Sequence, residues 1–406
     1  MHVLFLAPDT NVYNLRFVDA LKRAGARVSG VGHTPAAKLR NHLKARLDRY
    51  EQARSLLDDS EILKFARQID SASKLERIET IDEPFVVGAA RLREALAVPG
   101  LSVARAVLCR DKAAMKDALR ARDIPCAAST AAIDREAVIT FAEREGYPLV
   151  IKPREGFGTL DTFRVENRRE LDAALERLRP SETRALIVEE FIDGHEGFYD
   201  TITAGTQIAH RFIGHYYPSC LAALQDRAIS PQIAVTNRTA LETYAELHEV
   251  AARVNAALGL ENTATHMEWF FGSKGLKVSE IGARPAGERI WDMHAAGNEF
   301  DLYLSWAQAV LHGRAEGTPS QKYATGSVQI RPPKDGRYGG HRGIEIVQRT
   351  LAGSIIESEI PPRGAPTQPL ERGWHQNTWF RLKDENYDRL REKLDFLART
   401  VKVDVL

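Results

Sequence analysis

Cysteine is scarce. Cys109, Cys126 and Cys220 are the only three, and their odd number and wide spacing exclude both a disulfide framework and a CxxC metal site. All three read as buried thiols. An excess of charge of either sign is missing too. The formal net charge is +1, from 56 basic and 55 acidic residues, which argues against a general binder of polyanions such as nucleic acid. No apolar run approaches the ~20 residues of a membrane-spanning helix, so no membrane is expected as a partner. The first apolar stretch, HVLFLA at residues 2–7, is short and is followed at once by Pro8-Asp9. It reads as a first strand rather than a signal peptide, and the cytoplasm is the default location. Two phosphate-binding fingerprints are also absent. No GxGxxG follows the first strand, and no GK[ST] opens a helix as in a Walker A loop.

What is present is an ordinary mix of apolar and charged residues over 406 positions, enough for two or three packed domains. A strand at 2–7, a helix at 12–23 and a strand at 27–31 give a βαβ opening, hence an α/β fold with a parallel, doubly wound N-terminal sheet over residues 1–105. Residues 36–69 are charged and read as helical. Asp111 is a plausible helix N-cap, which puts Lys112 in the first turn. Taken alone, that lysine reads as a surface residue. Leu149-Val150-Ile151 is a buried run ended by Lys152, and the following loop carries Gly156 and Gly158. A loop with open backbone N–H groups and a lysine at its edge suits phosphates. ALIVEE at 185–190 is a strand running into Phe191-Ile192 and then Glu196. A hairpin around Gly205 and an irregular stretch at 216–231 follow. Residues 320–406 read as strands at 328–331, 343–347 and 374–380, a turn at 337–343, a helix at 384–399 and a closing strand.

The stretch Met267–Arg289 organises the rest. Trp269-Phe270-Phe271 favours a strand, Gly272-Ser273-Lys274-Gly275 a turn, and Leu276–Ile281 a returning strand. Glu268 and Glu280 are equidistant from Lys274. Centred there, the hairpin makes them cross-strand neighbours ~5 Å apart on one face. A four-residue turn at 272–275 would instead put them on opposite faces, so the shared face needs an odd turn or a bulge. Two such carboxylates call for a cation, and hard oxygen ligands beside a phosphate suit Mg²⁺. Arg284 follows on a loop, where a guanidinium can fork onto phosphate oxygens. The bland alternative is a hairpin with two solvated glutamates.

In their order these motifs resemble the ATP-grasp superfamily, over roughly residues 105–315. Arg110-Asp111-Lys112 and Val150-Ile151-Lys152-Pro153 resemble its two nucleotide-binding lysines. Val188-Glu189-Glu190-Phe191-Ile192 resembles the strand that holds adenine, and Glu196 its ribose-binding carboxylate. Thr265-His266-Met267-Glu268 and Ser279-Glu280-Ile281-Gly282-Ala283-Arg284-Pro285 resemble the metal-and-arginine motif of carboxylate–amine ligases. One departure is Gly282, where the family usually has an asparagine.

The resemblance implies an ATP-grasp domain over 106–315, with a lysine and phosphate-loop part at 106–188 and a metal-hairpin part at 189–315, then a small α/β domain at 316–406. It implies ATP and Mg²⁺ as ligands, with Glu268 and Glu280 on the metal. Lys112, Lys152, Gly156, Gly158, Glu189, Glu190, Phe191, Ile192 and Glu196 fall on the nucleotide, and Arg284 and Lys152 on the chemistry. The expected partners are a small-molecule carboxylate and an amine, with His266, Arg211 and Arg289 near them, and a homodimer is carried as the assembly. The activity implied is amide formation through an acyl phosphate. Another ATP-grasp chemistry, such as a kinase or carboxylase-type activation, and a nucleotide-binding regulatory module stand as alternatives.

Overall fold

The computed structural model describes residues 1–156, 161–370 and 376–406. Gly158 and Trp374 lie outside them. Strands β1 (His2–Leu6), β2 (Arg27–Gly32), β3 (Arg49–Gln52) and β4 (Arg77–Glu79) pair in parallel in the order β3-β2-β1-β4. Because side chains alternate along a strand, β1 feeds two cores. Val3 and Phe5 pack with Phe17, Val18 and Leu21 of the helix Asn14–Arg23. Leu4 and Leu6 pack on the other face with Ile62 and Ala66 of the helix Asp59–Ala72 and with Ala89 and Leu92 of the helix Val86–Leu96. The sheet is doubly wound, as expected. The helical reading of 36–69 is corrected, because β3 interrupts it. Its residues Arg-Tyr-Glu-Gln are partly exposed on the sheet edge, where charged side chains are usual and apolar alternation is lost.

A second sheet contains β5 (Ser129–Ala132), β6 (Leu149–Pro153), β7 (Phe163–Val165) and β8 (Leu186–Glu190), antiparallel in the order β5-β8-β6-β7. The helices Arg135–Glu145 and Arg168–Leu178 cover one face through Val138, Phe141, Leu171 and Leu175. The other face carries Lys152 and Glu189.

The largest sheet has eight strands. It is built from β9 (Gly194–Ala204), β10 (Gln207–Tyr217), β11 (Gln232–Thr236), β12 (Ala264–Gly272) and β13 (Gly275–Gly282), continued by β14 (Ala324–Ile330). β15 (Tyr338–Arg342) pairs apart, with the closing strand. β16 (Ile355–Glu359) and β17 (Thr378–Asp384) return to the large sheet, and β18 (Lys402–Val405) completes the pair with β15. The order is β13-β12-β9-β10-β11-β14-β17-β16.

After residue 316 the chain first extends this sheet. β14 pairs with β11 from Gln232↔Val328 to Val235↔Thr325, and the sheet runs on through β17. The helix Tyr387–Thr400 packs Leu390, Leu394 and Leu397 against this extension. Two local readings fail here. Residues 337–343 supply the strand β15 rather than a turn, and 344–351 form a helix rather than a strand. Ile344, Val347 and Leu351 are buried at helical spacing there, a period that a five-residue window could not display.

Candidate active site

The hairpin β12–β13 meets the small sheet across a cleft of about 430 Å³, within the ~300–1,000 Å³ usual for small-molecule sites. Gly272 pairs with Gly275, so the turn is the two residues Ser273-Lys274 and not one centred on Lys274. Continued regularly, that register would set Glu268 opposite Ser279. A bulge intervenes: the pairing steps from Trp269↔Val278 to Glu268↔Glu280. The extra residue on β13 makes the two glutamates direct partners. His266, Glu268 and Phe270 line the cleft, while Met267 and Trp269 join the core behind.

Two lysines enter from the other side. Asp111 caps the helix Lys112–Arg120, its carboxylate accepting from the amides of Ala113 at 3.0 Å and Ala114 at 3.1 Å. Lys112, at the first helical position, sends its ammonium 2.5 Å from the Gly156 carbonyl and 3.3 Å from Glu280. Lys152, at the end of β6, lies 3.2 Å from Glu189. The other oxygen of Glu189 lies 2.9 Å from the ammonium of Lys116. Burial pushes the Glu189 carboxyl up, but Lys116 and Lys152 outweigh it and hold it ionised below its usual range. The same balance, with Lys112 and Lys152 as the cations, holds Glu280 down.

Glu189, Glu190, Phe191 and Ile192 all line the cleft. The Glu190 carboxylate accepts from the Ala128 amide at 2.9 Å and pairs with Lys274 in the hairpin turn, which ties the two walls together. The Glu190 amide is engaged by the Ala128 carbonyl. Glu196 is buried in the cleft wall and accepts from the Cys220 amide at 2.7 Å. Burial, and then the nearby Glu268 carboxylate, push its carboxyl up to about 8.

His266 also lines the cleft. Its Nδ1 is 2.6 Å from Asp200 and its Nε2 is 3.6 Å from Glu268. Asp200 is buried and holds His294 at 2.7 Å through its second oxygen. Burial lowers the His266 pKa, but Asp200 outweighs it and raises the imidazole to about 9. Arg284 lines the cleft as well, with Nε 2.5 Å from Glu83. Glu83 comes from the loop after β4 and also binds Arg110 at 2.8 Å. A Cβ on Gly282 would stand 3.1 Å from the Glu83 carboxylate and 3.6 Å from Arg284. The space beside Glu280 where an asparagine would project is thus taken by this ion pair.

Two expected substrate residues lie elsewhere. Arg211 pairs across β9 with Thr201 and shares a strand face with Ile213, which packs away from the cleft with Tyr199. Arg289 binds Asp292 at 2.7 Å and Glu357 at 3.2 Å, and is absent from the cleft lining although Glu288 and Ile290 are in it. Arg227 of the irregular loop pairs with Asp335 at 2.8 Å. That loop does reach the cleft, through Ser219, Cys220 and Leu221.

Sequence reasoning missed Glu83, Lys116, Asp200 and His294. Lys116 alone had a local signal, standing one helical turn (i+4) after Lys112. The others reach the site through pairings that span 66 to 201 positions. Among the described residues no cluster of three or more metal-ligating side chains forms. Two carboxylates in an open cleft leave coordination places for phosphate oxygens and water, which fits Mg²⁺ better than a cation caged by protein alone. No helix among the described residues is long and apolar enough to cross a membrane.

Residues 145–292 match the model of the ATP-grasp domain. An alanine–anticapsin ligase of Bacillus subtilis is 24% identical over 259 residues, covering 58% of this chain and 53% of its own length. An L-arginine-specific L-amino acid ligase of Bacillus subtilis is 25% identical over 230 residues, covering 55% of this chain and 54% of its own. The chain thus spans about half the length of the curated relatives it matches. An L-amino acid ligase from Bacillus licheniformis superposes with a TM-score of 0.78 at 18% identity, covering 100% of this chain and 98% of that one. The chain has the ATP-grasp fold behind an N-terminal parallel sheet.

Proposed function

We propose that the protein is an ATP-dependent carboxylate–amine ligase acting on small molecules and releasing ADP and phosphate. The observation that carries this reading is the Glu268–Glu280 pair standing opposite Lys112 and Lys152 in one cleft, with Arg284 at its edge. ATP would place adenine against Glu189–Ile192, ribose at Glu196 and phosphates between the two lysines. Glu268 and Glu280 would hold Mg²⁺, which when bound supplies charge neutralisation at the β- and γ-phosphates. A substrate carboxylate oxygen attacks the γ-phosphorus, the bond to ADP breaks, and an acyl phosphate forms. An amine nitrogen then attacks the acyl carbon, phosphate leaves, and the amine gives up a proton. Arg284 stabilises the charge that develops on the transferring phosphoryl group. No covalent protein nucleophile is needed. The likeness to ligases that join amino acids supports an amino-acid carboxylate as donor.

The test is ADP release with ATP, Mg²⁺ and pooled amino acids. Formation of ADP and phosphate that requires both a carboxylate and an amine is expected. ADP formation with a phosphorylated product and no need of an amine would assign a kinase instead. Nucleotide binding without turnover on any pool would assign a binding module.

A further inference from the structure

Lys116 is the most deeply buried cation of the cleft, with a relative exposure of 0%. Its ammonium faces Glu189, whose two oxygens are divided between Lys116 at 2.9 Å and Lys152 at 3.2 Å. Burying an ammonium is costly, and a well-packed apolar side chain in its place is often as stable. A lysine kept there calls for a reason beyond packing.

The three charges supply one. Glu189 is a single anion between two cations. Were Lys152 its only partner, that pair would be neutral, and Lys152 would be drawn back toward β8 and away from the cleft. With Lys116 present the triad carries one net positive charge, and Lys152 lines the same cleft as Glu268 and Glu280 of the carboxylate hairpin. We infer that Lys116 is a positioning residue that sets the charge of the phosphate site: it engages one oxygen of Glu189 so that Lys152 keeps an unspent positive charge for the polyphosphate. The inference rests on the proposed nucleotide site, and it assigns Lys116 no contact with the ligand.

Calorimetric titration with ADP and with adenosine, at fixed Mg²⁺, tests it. Lys116→Met should weaken ADP binding by about tenfold or more, the scale of one charge-assisted contact between Lys152 and phosphate, and should change adenosine binding less than about twofold, since adenosine carries no phosphate charge. Lys116→Gln keeps a donor for Glu189 but removes the charge, so it should lose ADP affinity like the methionine variant. The double variant Lys116→Met/Glu189→Gln should recover most of the ADP loss relative to its own adenosine affinity, which reads any change at the adenine wall, because Lys152 is then released from its counter-ion. Parental ADP affinity in the glutamine variant, equal losses for ADP and adenosine, or a double variant no better than the single one would each overturn the assignment. A parent chain that binds neither ADP nor ATP overturns the nucleotide site itself, which is a separate result.

Discussion

At the scale of the residue, the sharpest feature is one carboxylate outside the proposed metal and nucleotide contacts, Glu83. Burial pushes the Glu83 carboxyl up, yet Arg284 and Arg110 outweigh it and hold it at about 2. It is ionised at every pH of interest and fixes the Arg284 guanidinium at the edge of the cleft. The sign of the linkage follows. A carboxyl depressed from its ordinary value near 4.5 to about 2 adds stability that is complete above the unfolded value and lost as pH falls through the folded one. Such a depression corresponds to ~3 kcal/mol as an upper figure. The stability gap between the parent and Glu83→Gln should therefore be largest above about pH 5 and narrow toward pH 3, as read by urea unfolding. A gap that is constant with pH contradicts the assignment. In turnover, the same change should lower kcat while leaving ATP affinity within about threefold, because a loosened Arg284 loses a contact that strengthens as charge develops.

At the scale of the element, the hairpin carries the site through a defect. A two-residue turn alone would set Glu268 opposite Ser279, and the bulge moves Glu280 into that place. Position therefore matters more than composition. Exchanging the pair, Ser279→Glu with Glu280→Ser, keeps charge and size in the strand but takes the carboxylate from its partner position and from Lys112. ADP release should fall by at least about a hundredfold, the scale of losing one major electrostatic contributor, while the circular dichroism spectrum and melting temperature stay close to the parent. Retained turnover in the exchanged hairpin would rule out Glu280 as a metal-side ligand.

The same element shows how far sequence alone reached. The symmetry of the two glutamates, the strand-ending Lys152 and the capped helix that opens with Lys112 were all legible, because each is a local pattern of propensity and spacing. Arg211 and Arg289 were expected to lie near the hairpin, an expectation that took no account of strand parity, and parity turns Arg211 to the face of Ile213. Arg289 satisfies Asp292 and Glu357 instead. Gly282 stood out only as a departure from the usual asparagine, and the structure sets beside it Glu83, whose partner Arg284 stands 201 positions away. No local pattern announces a pairing of that length.

At the scale of the whole molecule, the cleft draws on the neighbourhoods of three of the four sheets among the described residues. The N-terminal parallel sheet supplies Glu83 from the loop after β4, the small sheet supplies Lys152 and Glu189, and the eight-stranded sheet supplies both hairpin carboxylates. The alternation of strands and helices made the first sheet readable. The join of the last ninety-odd residues to the large sheet was not readable, because it is made by β14 alone pairing with β11, across a gap that no sequence window spans. This arrangement surrounds one cleft with two carboxylates, two lysines and a guanidinium, and that is the physical basis of the proposed activation of a carboxylate with ATP. The step that defines the account is transfer of a phosphoryl group to a carboxylate oxygen, which later leaves with the phosphate. Turnover with an amino-acid substrate labelled with ¹⁸O in its carboxylate, followed by mass analysis of the released phosphate, reads that step directly. The account predicts one ¹⁸O atom in each inorganic phosphate, matched by one ADP and one amide. Unlabelled phosphate at an equal yield of ADP would contradict it.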